Sequence, residues 1–106
     1  MYMNSGTLKY ELAAISYKDN TDMVLLRYLL MNVLALWAAE YRKAGAGTQY
    51  AFKLLQNHKK LENIHTNIKE KSRSNTAVKD DFVVAKTAAL ECMENFTAAT
   101  QFVTAA

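Results

Sequence analysis

The sequence predicts an all-α fold: a small antiparallel helical bundle of one short and three long helices, forming one domain over residues 1–106. Three observations carry this prediction. Proline is absent and there are only three glycines, Gly6, Gly45 and Gly47, so a strand-rich sandwich or barrel has no residues on which to turn every ~8–12 positions. Apolar residues make up 51% of the chain and charged ones 22%, far from the mix that keeps a chain unfolded. Apolar positions also recur at helical steps over long stretches. A chain of 106 residues builds one core rather than two.

Leu8, Leu12 and Ile15 stand at i, i+4 and i+7, which predicts a short amphipathic helix from about Thr7 to Tyr17, opened by Ser5 or Thr7. Asp19-Asn20-Thr21-Asp22 then offers a turn and a helix start. Its side-chain oxygens can accept from the first free amides, and its acids suit the positive end of the helix dipole. The second helix runs to about Lys43, where Arg42 and Lys43 suit the negative end and Gly45 and Gly47 can stop it. Thr48 caps a third helix from about Gln49 to Lys71. Ser72-Arg73-Ser74-Asn75-Thr76 is the polar break that follows, and a fourth helix, with Asp80 and Asp81 in its first turns, continues to the terminus.

In the fourth helix Val78, Phe82, Ala85, Ala89, Cys92, Phe96, Ala99 and Val103 alternate steps of four and three, the spacing of a seam against a long partner. Ala51, Leu54, His58, Leu61, His65 and Ile68 keep the same rhythm in the third. The two helices are therefore expected to form an antiparallel hairpin. The second helix has no single stripe. Met23, Leu26, Leu30, Val33 and Trp37 take one face, while Val24, Leu25, Leu29, Leu34 and Leu36 take much of the rest. A helix apolar all round must be surrounded, and three other helices of this size give limited cover. The expectation is that a second protomer completes the bundle, making the protein a homo-oligomer.

The stretch Met23–Ala39 has only Arg27 and Asn32 as strongly polar members. A bilayer span needs ~20 apolar residues, and an arginine near its middle costs roughly 2.5–3.5 kcal/mol. The expectation is a helix buried in protein, with no membrane partner. The N-terminal MYMNSGTLKYEL has neither a basic region feeding an apolar core nor a small-residue cleavage site, and the lone Cys92 suits a reducing compartment. A cytoplasmic location is expected.

Few constellations carry chemistry. Cys92 among Ala89, Phe96 and Ala99 is set for packing rather than nucleophilic attack, and Gly45-Ala46-Gly47 lacks the remaining features of a phosphate-binding loop. His58 and His65 are two helical turns apart, roughly 10 Å, too far to share one ion. Glu62-x-x-His65 has the spacing of two di-iron ligands, but no second Glu-x-x-His accompanies it. No metal or other cofactor is expected, and no enzyme.

Charge is uneven. From Arg42 to Arg73 eight basic residues face two acids, a net +6, leaving −3 for the rest of a chain whose total is +3. Lys53, Lys60 and Lys71 fall along one side of the third helix, and with Arg73 they offer an anion-binding row for a nucleic acid or nucleotide. Solvated helix lysines explain the same pattern. The functional expectation is therefore a non-enzymatic bundle acting by self-association and by binding a protein partner, as an adaptor, inhibitor or scaffold. Trp37, Tyr41, Phe82 and Phe96 are its candidate anchors. Six tyrosines suit half-wet interfaces. Nucleic-acid or nucleotide binding through the basic region is the alternative.

Overall fold

The computed structural model describes residues 5–45 and 47–105, with side chains as far as Asn95. Among these residues there are four helices and no strand: α1 (Ser5–Ala14), α2 (Asn20–Ala44), α3 (Gln49–Arg73) and α4 (Lys79–Ala105). The fold is all-α. α3 packs lengthwise against α2 on one side and α4 on the other, and α1 lies across α2 and α4.

Local chemistry fixes the helix ends. Asp19 and Asp22 form a reciprocal capping box at the start of α2. Asp19 Oδ1 accepts from the Thr21 amide at 2.8 Å, and Asp22 Oδ2 accepts from the Lys18 and Asp19 amides at 2.6 and 3.1 Å. Those charge-assisted bonds hold the Asp22 carboxyl below the usual carboxylate range. Gly45 and Gly47 then take φ of +83° and +92°, a backbone region that side chains resist, and so end α2 before α3 begins. Thr48 Oγ1 accepts the Ala51 amide at 3.0 Å and caps α3. At the α3–α4 turn Asn75 adopts a left-handed φ of 58°, which asparagine tolerates better than most residues.

The core is a single cluster. Leu8, Leu12 and Ile15 pack with Met23, Leu26, Leu29, Leu30, Val33, Leu36 and Trp37 of α2, with Leu54, Leu61 and Ile68 of α3, and with Phe82, Ala85, Ala89, Cys92 and Met93 of α4. The described members of the α4 seam are buried except Val78, which lies before the helix and is exposed. Phe96, Ala99 and Val103 have side chains outside the described residues.

The first helix ends three residues short of the expected Tyr17. Lys86 Nζ, from α4, donates to the carbonyls of Ala13 (3.0 Å) and Ile15 (2.6 Å), and Lys9 pairs with Glu94. The lysine satisfies carbonyls at the end of α1 and frees the chain to turn. Tyr17 lies beyond the helix and tilts against the Phe82 ring, with centroids 5.6 Å apart.

Candidate functional site

The second helix is enclosed on one face only. Its inward stripe is Met23, Leu26, Leu30, Val33 and Trp37, joined by Leu29 and Leu36. The opposite face carries Thr21, Val24, Tyr28, Met31, Ala35, Ala38 and Arg42, at successive steps of three and four. Ala38 is half-buried and the other six are exposed; Val24 is 61%, Tyr28 54% and Met31 55% exposed. At 100° per residue these seven positions fall within one arc of the helix. Leu25 flanks them, 40% exposed. The expectation that α2 must be surrounded is thus met within the chain on its inward side and not on its outward side.

The expected anchors are distributed differently. Trp37 and Phe82 are 0% and 1% exposed. Both belong to the core, so neither reaches the surface as an anchor; these are the largest rings on the inward stripes, and burying them removes the most apolar area from water. Tyr41 is half-buried in a shallow open groove at the α2–α3 turn, with Ala51, Phe52 and Leu55. Phe52 is exposed there. The Phe96 side chain lies outside the described residues.

The basic row is interrupted. Lys53 and Lys60 are exposed on α3, and Arg73 is exposed at its end. Lys71, however, is engaged: its Nζ donates to Asp81 Oδ1 at 2.6 Å across the α3–α4 turn. That bond, together with the Val78 amide donating to Asp81 Oδ2 at 2.9 Å, holds the Asp81 carboxyl below its usual range.

The two histidines are half-buried on α3. His65 Nε2 is buried and has no hydrogen-bond partner among the described residues. Burial first, and then the charges of Arg27 and Lys69, push its pKa below the ordinary imidazole value. Glu62 is exposed, and among the described residues no three His, Cys, Asp or Glu side chains come together as a metal site would need. Cys92 is buried, and that burial raises its thiol pKa, as expected of a packed, unreactive cysteine.

By length and composition α2 could cross a bilayer, but its inward stripe is in contact with the other three helices. The chain matches no family model, no curated protein and no solved structure.

Proposed function

We propose that the protein is a non-enzymatic association module that pairs with a second copy of itself, and through it engages a protein partner, by the outward face of α2. One observation carries this reading: a 3–4 stripe of apolar and small residues, exposed from Val24 to Ala35 and half-buried at Ala38, runs opposite the stripe that builds the core. A spacing that stays on one side of a helix is what a second helix needs in order to pack along it. Scattered surface apolar residues need no explanation, whereas a contiguous strip does.

The test is the mass of the protein in solution across the micromolar range, for the native chain and for Met31→Lys. The native protein associates as concentration rises. Met31→Lys retains its helical circular dichroism, because position 31 is 55% exposed and lies opposite the core stripe, and stays monomeric. A native chain that remains monomeric throughout sinks the reading.

Nucleic-acid or nucleotide binding is the competing reading, supported by the exposure of Lys53 and Lys60 two turns apart and of Arg73. The Lys71–Asp81 pair weighs against it. Contacts to phosphates would give an oligonucleotide affinity whose logarithm falls by about 0.9 per phosphate neutralised for each decade of salt. Self-association through an apolar strip is nearly insensitive to salt.

A further inference from the structure

We infer that the occupant of the outward α2 face is the same face of a second copy, running antiparallel, in the register that sets Tyr28 against Ala38 and Met31 against Ala35 of the partner. This inference rests on the association reading above and specifies its geometry.

The argument comes from the order of sizes along the stripe. Its N-terminal half presents Val24, Tyr28 and Met31, and its C-terminal half presents Ala35, Ala38 and the long-stemmed Arg42. Close packing between two helices sets large side chains against small ones. The surface that complements this gradient is the gradient reversed, which a two-fold axis across the helix supplies. With that axis near Val33, six layers form in sequence: Val24 with the partner's Arg42, Tyr28 with the partner's Ala38, Met31 with the partner's Ala35, and the three reciprocal contacts. Each bulky aromatic or thioether side chain then meets an alanine.

Other arrangements fit worse. A parallel pair in register stacks Tyr28 on its own copy, leaves a gap at the paired alanines and brings the two Arg42 guanidinium groups together at one end of the seam. Sliding the antiparallel pair by one heptad sets Tyr28 against Met31, large against large, and leaves Ala38 with only Thr21 to meet. The favoured register also overlaps almost the whole helix.

Charge agrees with the orientation. The N-terminal end of α2 has Lys18, Asp19 and Asp22, net −1, and the C-terminal end has Glu40, Arg42 and Lys43, net +1. Antiparallel pairing brings unlike ends together and opposes the two helix dipoles. The stripe from Val24 to Arg42 is ~27 Å long and a helix is ~10 Å wide, a strip of ~270 Å² on each copy, well under the ~800 Å² per partner of a standard interface and in the class of weak, reversible contacts. The expected association is therefore weak, with a dissociation constant in the upper micromolar range.

Cross-linking decides the orientation. Tyr28→Cys and Ala38→Cys variants are prepared separately, held at high micromolar concentration and treated with a short thiol-to-thiol cross-linker, alone and as an equimolar mixture; buried Cys92 is monitored with the native chain. In the inferred register the mixture gives a cross-linked heterodimer, while each variant alone gives none, since positions 28 and 28 of the two copies are then ~15 Å apart along the axis. Cross-links in each variant alone mean a parallel pair and overturn the inference while leaving self-association standing. A native chain that dimerises while neither sample cross-links also overturns it, because a different face is then in use. A native monomer overturns both this inference and the reading beneath it, and co-sedimentation of that monomer with phosphatidylcholine vesicles assigns the face to a bilayer instead.

Discussion

Replacing Trp37 by alanine separates a core role from a surface role. Trp37 is wholly buried, on the α2 stripe that packs with Leu8, Leu54 and their neighbours. Truncating a buried tryptophan to alanine removes its transfer free energy and leaves a cavity, together roughly 3–5 kcal/mol. The whole stability of a domain this size is only about 5–15 kcal/mol, so the variant should sit near the edge of folding. With each kcal/mol moving the midpoint by about 4–8 °C in small domains, its Tm should fall by at least about 12 °C, and its urea midpoint by on the order of 2 M. The assay is urea and thermal unfolding followed by circular dichroism at 222 nm, because the fluorophore is lost. Trp37→Phe, which keeps an aromatic ring in the site, should lose much less. Association of the protein still folded should be unchanged, since the outward face of α2 is untouched. A stability loss below about 1 kcal/mol accompanied by loss of the dimer would refute the reasoning and return Trp37 to the interface.

Three further outcomes are expected. His65 has its pKa lowered in the folded protein, so the folded state favours neutral imidazole; its contribution is fully present above the unfolded value of about 6.5 and is lost as pH falls below it. Unfolding at pH 7 and pH 5 should show that loss in the native chain and a smaller one in His65→Gln, with equal pH dependence in the two chains counting against it. Asp19→Ala removes the α2 cap and should cost roughly 0.5–2 kcal/mol by urea unfolding, whereas an unchanged midpoint would show that the first turn of α2 is held by packing alone. Asp22 and Asp81 have lowered pKa values, so the stability they contribute is present above about pH 4 and is lost as pH falls through their folded values. Lys71→Met should move the Asp81 titration, followed by carboxyl NMR, upward toward the ordinary range, and an unmoved titration would mean that the lysine does not hold it.

Periodicity and end chemistry made the helices legible. Asp19, Thr48 and the Gly45–Gly47 turn each mark a boundary through a local requirement, and local requirements are written in adjacent residues. The end of α1 was not legible, because the group that satisfies its carbonyls, Lys86, comes from a helix more than 70 positions away. The Lys71–Asp81 pair lay between these cases: the hairpin expected of α3 and α4 already placed the two at one turn, and counting lysines along α3 alone concealed it.

The outward face of α2 shows where pattern reading stops. Two stripes on one helix, Met23-Leu26-Leu30-Val33-Trp37 and Val24-Tyr28-Met31-Ala35, keep the same three-four rhythm on opposite sides, so periodicity alone cannot choose which of them faces the core. Side-chain chemistry chooses. Each stripe has one methionine and one valine; the first adds Leu26, Leu30 and Trp37, which gain most from leaving water, while the second adds Tyr28 and Ala35, a ring with a polar tip and a side chain with little area to bury. In the fold the first stripe is buried and the second is exposed. The preference that sends Trp37 inward leaves Tyr28 and Met31 outward, on the face proposed above to receive a second copy.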